Sequence, residues 1–150
     1  MINYYFGSKE NLINEAIHSL ITSLKDTFTI FDDPSLTPKE QIRGFLLQYL
    51  RIFRKYPFII HLVMQENSVF YKSQIEYFEF LNAIGMKKFK NAIREASGEE
   101  DPKKLTIMVS HLIGAALLPT LIEPLYEYVT GSPFSNIETQ IDILLQQYFS

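Results

Sequence analysis

Ile2-Asn3-Tyr4-Tyr5-Phe6-Gly7-Ser8-Lys9-Glu10-Asn11-Leu12 decides how the chain is read. Tyr4, Tyr5 and Phe6 run into Gly7, which accepts positive φ without steric cost and so suits the residue just past a helix end. Ser8 is a good N-cap, and Glu10 then sits in a first turn, near the positive end of the helix dipole. Leu12 and Ile13 open an apolar stripe. The local chemistry predicts that one helix stops and another starts within two residues, at Gly7-Ser8.

Working outward, the apolar spacing is helical throughout. Leu12, Ile13, Ala16, Ile17, Leu20, Ile21 and Leu24 predict a first long helix over residues 8–31, broken by Asp32-Asp33-Pro34-Ser35. Thr37-Pro38-Lys39-Glu40 is a capping box with proline at the first helical position. Its helix carries Ile42, Phe45, Leu46, Tyr49, Leu50 and Phe53 and ends near Tyr56-Pro57. Residues 58–67 form a short helix, apolar nearly all round, and such helices are usually buried. A long helix over 69–96 follows and ends at Ser97-Gly98. Asp101-Pro102 caps the next, which Pro119 and Pro124 should kink or divide before Gly131-Ser132-Pro133. Ser135-Asn136-Ile137-Glu138 reads as a second capping box, opening a final helix over 136–149 with Ile137, Ile141, Leu144, Leu145 and Tyr148 on one stripe. Val69-Phe70-Tyr71 and Tyr128-Val129-Thr130 are too short, and too close to helical signals, to read as strands. The expected fold is all-α, a bundle of about six helices.

Composition narrows the possibilities. The chain of 150 residues suits one domain with a real core, and 47% hydrophobic content excludes a disordered polymer. Cysteine is absent, which removes disulfides, thiol nucleophiles and thiolate metal sites, and fits a cytoplasmic setting. The net charge of -3 gives no basic footprint for nucleic acid. Residues 105–125 come nearest to a membrane span, but two prolines with Ser, His and Thr point to burial in protein instead. No basic leader with a small-residue cleavage site is visible, and no membrane partner is expected.

The opening segment resembles, over eleven consecutive positions, the stretch that joins the recognition helix to the fourth helix in TetR-type transcriptional repressors. That pattern runs apolar, Tyr/Asn, Tyr, His/Tyr, Phe, any residue, Ser, Lys, Glu, any residue, Leu. Tyr5 stands where His is usual, and Asn11 where a second acid is common. The resemblance implies that residues 1–7 are the end of a helix–turn–helix DNA-binding head, and 8–150 the effector-binding and dimerisation domain. Tyr4 and Lys9 match family positions that touch DNA phosphates, contacts that position a protein without reading sequence. Packing of a helix end is the more common role for residues like Tyr4, Tyr5 and Phe6, and the two readings are compatible. The family further implies a homodimer through the last two helices, here 103–129 and 136–149. Leu112, Ala116, Leu121, Ile137, Ile141, Leu144 and Tyr148 would form the interface, with Gly114-Ala115-Ala116 allowing close helix approach. Operator DNA would be reached only through the head.

Within such a domain the helices at 37–55, 58–67, 69–96 and 102–118 should enclose a cavity for a hydrophobic or aromatic small-molecule effector. Phe45, Tyr49, Met64 and Phe78 are its expected walls. His61, Gln65 and His111 are the expected orienting groups, although a histidine on an apolar helix is more often a hydrogen-bonded core residue. Glu15-x-x-His18 has the spacing of one half of a di-iron site but lacks a second such pair. Lys87, Lys88 and Lys90 read as a solvated face. There is no Gly-x-Ser-x-Gly, no Gly-rich phosphate loop and no His-Glu-x-x-His, so neither an enzyme nor a metal or other cofactor is expected. The expected function is ligand-responsive transcriptional regulation, with the 8–31 helix carrying the signal. The alternative is a headless helical protein that binds a partner or sequesters a ligand without touching DNA.

Overall fold

The structure, a computed structural model, describes residues 2–57 and 72–150, with side chains described at 12, 15–57 and 75–150. The described residues are helical and contain no strand. Their order is α1 (Ile2–Thr27), a 3₁₀ turn (Phe28–Asp32), α2 (Pro38–Lys55), α3 (Lys72–Phe80), a π-helical turn (Leu81–Gly85) and α4 (Met86–Ser97). Then come α5 (Pro102–Leu121), a 3₁₀ turn (Glu123–Leu125), α6 (Tyr126–Thr130) and α7 (Ile137–Tyr148). The expected helix at 58–67 lies outside the described residues.

The end signals act where the local chemistry is strongest. Thr37 accepts from the Glu40 N–H while the Glu40 carboxylate accepts from the Thr37 N–H, closing the capping box of α2. Asp101 caps α5 ahead of Pro102. Gly98 ends α4 at φ 79, where a Cβ would be strained. At α7 the N-cap lies one residue later than expected. The capping side chain is Asn136, accepting from Thr139 N–H at 2.7 Å, and not Ser135. Asn is at least as good a cap as Ser, and it stands one residue nearer the stripe.

Two expectations fail on the backbone. The chain does not break at Gly7-Ser8: α1 runs unbroken from Ile2 to Thr27. A glycine inside a helix costs about 1 kcal/mol relative to alanine, which a long helix absorbs, so a stop signal of that size does not force a stop. The helix expected over 69–96 is α only in two pieces. Leu81–Gly85 winds as a π turn between them, where Gly85 lets the chain lie against Phe28. A Cβ at Gly85 would come to 3.0 Å from the Phe28 ring.

Burial divides into two clusters. The main core takes Ile42, Phe45, Leu46, Leu47 and Leu50 from α2, Phe89, Ala92 and Ile93 from α4, Leu105, Val109, Leu112 and Ala116 from α5, and Ile137, Ile141 and Leu145 from α7. A smaller cluster joins Ile17, Leu20, Ile21 and Leu24 of α1 to Tyr77 of α3, with Tyr49, Phe53 and Phe80 packed against it. Helix α2 is the centre, packing on α1, α4, α5 and α7.

Ion pairs tie α2 to its outer neighbour. Arg43 donates to Asp142 at 2.6 Å, and Arg51 to Glu138 at 2.9 Å. The Arg43 hydrogen bond holds the Asp142 carboxyl below its ordinary range. Glu138 is lowered first by a backbone hydrogen bond at its own residue, then by Arg51. A carboxylate depressed in the folded state stabilises above its unfolded pKa, and that contribution disappears as pH falls through the folded value. The Asp142→Asn/Glu138→Gln double variant should therefore be slightly less stable than wild type at neutral pH. The gap should close between about pH 4 and pH 2, as read by urea denaturation across that range.

Candidate functional site

Of the residues expected to wall a cavity, Phe45, Tyr49 and Phe78 lie among the described ones, Phe45 and Tyr49 stacked on each other and Phe78 on the surface. Phe45 is fully buried, with Phe28 at 4.7 Å, Phe89 at 4.9 Å, and Phe31 and Tyr49 at 5.2 Å between ring centroids. These rings pack closely around Phe45. Tyr49 stacks on it, and its hydroxyl lies 3.2 Å from the Tyr77 hydroxyl, between the two cores. Burial pushes both phenols up, since a phenolate there would lose its hydration. Phe78 is on the surface of α3 at 40% exposure, and His111 is on the surface of α5, its Nδ1 3.1 Å from Tyr148 Oη. His61, Met64 and Gln65 lie outside the described residues, as do the side chains of Tyr4 and Lys9. Among the described residues no three His, Asp or Glu side chains come together as metal ligands.

Among the described residues a cleft of about 700 Å³ lies at the other end of α2, where it faces the end of α5. Phe53, Arg54 and Pro57 form one side; Thr120, Leu121, Glu123 and Pro124 form the other. The cause is in the backbone. Tyr56-Pro57 ends α2, and α5 loses regularity at Leu121 after the internal Pro119, turning through Glu123–Leu125. Two helix ends that stop side by side leave a gap that continuous helices would fill. Arg54 donates across it to Glu123 at 2.8 Å. Of these residues only Leu121 stands among the expected site residues, and there as an interface residue. The usable signal was the pairing of Pro57 with Pro119 and Pro124.

The second feature is the outer face of α5. Leu112, Ala116, Ile137 and Ile141 were expected at a dimer interface, and all four are buried in the protein's own core. This corrects the register, because a side chain packed inside one chain has no surface to give a partner. Leu144 and Tyr148 are partly buried against the same core. Leu121 is exposed. What faces outward is the opposite stripe of α5, Ile107, His111, Gly114, Leu118 and Leu121, continued by Leu125; Ile143 of α7 is exposed as well. Leu118 is 59% exposed, Ile107 53% and Ile143 53%. Between Lys104 and Glu123 the helix has no charged residue. By length and composition it could cross a membrane, with a mean hydropathy of 1.5, yet 22% of that stretch is buried in the protein. Burial of the whole segment, as the sequence led one to expect, is therefore not found.

Compared with protein-family models, curated proteins and solved structures, the chain finds no match.

The buried phenol pair gives a direct test. Tyr77→Phe leaves the Tyr49 hydroxyl buried without its partner and should cost about 1–3 kcal/mol, whereas Tyr49→Phe/Tyr77→Phe removes both groups and should cost less than the sum of the single changes. A double-mutant cycle by chemical denaturation reads the difference.

Proposed function

We propose that the chain is the sensing and dimerisation part of a ligand-responsive transcriptional regulator of TetR type. The observation that carries the reading is the outward stripe of α5. An uncharged row of Ile107, Leu118, Leu121 and Leu125, open to water, is far more apolar than a surface helix needs. It repeats at the spacing of a helix seam, and Gly114 has open space around it for a close crossing. A second copy of the same stripe satisfies it without any further complementarity, which is the logic of a two-fold contact. A membrane is the poorer occupant: to cross one, α5 would have to withdraw Leu105, Val109, Leu112 and Ala116 from the main core.

In this reading α1 is the transmitting element. Its N-terminal end bears the segment that resembles the repressor joint, and its buried face rests on α3 and on side chains of α2. A small apolar effector that prefers one placement of α1 shifts the heads it carries, by no more than its difference in affinity for the two arrangements. Operator DNA is met by the head, with Tyr4 and Lys9 at the phosphates.

One observation favours the alternative, a helical interaction or ligand-sequestering protein that does not bind DNA. The run of α1 straight through Gly7-Ser8 lacks the turn on which the resemblance rests. The coding sequence upstream of Met1 decides between the two: an in-frame helix–turn–helix pattern supports the regulator, and its absence supports the alternative.

Light scattering tests the pairing. Wild type should show twice the chain mass. Leu118→Glu and Ile143→Glu place charge at exposed positions without touching the core, and should give monomers with unchanged helical circular dichroism. A wild-type protein of single-chain mass at all concentrations removes the two-fold reading.

A further inference from the structure

We propose that the cleft between the ends of α2 and α5 is the effector site, and that it takes an uncharged, mainly apolar molecule bearing one carbonyl or hydroxyl group. The inference rests on the sensor reading above and assigns it a place and a ligand chemistry. The volume, about 700 Å³, falls in the range of small-molecule sites. Phe53, Leu121, Pro57 and Pro124 give apolar walls suited to a ring or a branched chain.

The polar groups select the head of the ligand. Arg54 and Glu123 already neutralise one another across the cleft. An anion placed there meets the Glu123 carboxylate, and a cation meets the guanidinium, so a net charge on the ligand gains little. An uncharged acceptor faces neither penalty, since Arg54 keeps further N–H donors beyond the one given to Glu123. Thr120 supplies a second contact. Thr22, Thr106 and Thr130 turn their hydroxyls back to the carbonyl four residues earlier in their helices. Among the described residues the Thr120 hydroxyl makes no such bond, and Thr120 is one of the residues lining the cleft.

The cleft is also wired to α1. Phe53 lines it and is packed against the small core formed by Ile17, Leu20, Ile21 and Leu24 of α1 with Tyr77 of α3. A ligand pressing on that ring presses on the support of the transmitting helix. No route through the filled aromatic core around Phe45 is required.

The test uses the naphthyl ketone prodan, an uncharged fluorophore whose emission shifts to the blue in apolar surroundings. Wild type should bind it saturably, one per chain, and slow amide exchange in α1. Thr120→Val keeps the shape and removes the hydroxyl, and should weaken binding roughly three- to tenfold. Thr120→Phe fills the cleft and should abolish binding, with unchanged circular dichroism confirming the fold. Glu123→Gln frees Arg54 and should raise affinity for anionic anilinonaphthalene sulfonate. Equal prodan affinity in wild type and both Thr120 variants overturns the proposal, as does loss of binding in Leu118→Glu alone, which would put the dye on the outward face of α5. A dimer that does not bind prodan saturably defeats the cleft and leaves the two-fold reading standing; a monomer that binds it in the cleft does the reverse.

Discussion

The ring of Phe45 is the constraint around which the fold is arranged. It is wholly excluded from water and is met by Phe28 and Phe31 from the first 3₁₀ turn, Tyr49 from its own helix and Phe89 from α4. Phenylalanine pairs at these separations add to what area burial alone supplies. Because the 3₁₀ turn delivers two of the rings, α1 can reach the bundle only along a path that brings Phe28 and Phe31 inward. The π turn at Leu81–Gly85 answers the same demand from the other side, since Phe28 occupies the space a side chain at position 85 would need.

Around Phe45 the described side chains are close-packed. Among the described residues a cleft lies where α2 ends at Tyr56-Pro57 and α5 ends two residues past Pro119. Loose packing at helix termini accommodates a guest at lower cost than a close-packed centre, where any added atom displaces another. Phe53 belongs to both regions, lining the cleft and packing against the small core built on α1.

Much of this was legible in the residues. Thr37-Pro38-Lys39-Glu40, Asp101-Pro102 and Gly98 mark helix ends by chemistry that is complete within four residues, and the structure places ends at all three. The stripe of α2 was equally plain because its polar face is fully polar. What could not be read was which side of α5 turns inward. Leu105, Val109, Leu112 and Ala116 form one apolar row; Ile107, Gly114, Leu118 and Leu121 form another. With both rows apolar, periodicity has no preferred phase, and only the neighbouring helices decide. Of the expected interface residues on α5, Leu112 and Ala116 lie on the row that the protein keeps for itself, and Leu121 on the outward row. Ile137 and Ile141 went the way of Leu112 and Ala116, because α7 has a single narrow stripe and its own core claims it. At Gly7-Ser8 the failure was of magnitude: a capping preference of about 1 kcal/mol does not outweigh the continuity of a long helix. The cleft left no periodic trace, because it arises from the meeting of two ends far apart in sequence.

The π turn has a consequence for how this chain tolerates changes in length. One residue advances an α-helix by about 100°, so a single deletion within α2 would swing Phe45 off the core. Leu81–Gly85 differs, because a π turn is in effect an α-helix holding one residue too many. Removing one residue there lets the segment relax to ordinary winding, with Tyr77 on one side and Phe89 on the other still facing their own clusters. The stretch between α3 and α4 is thus the place in the bundle where natural variants can differ by one position and keep both faces in phase.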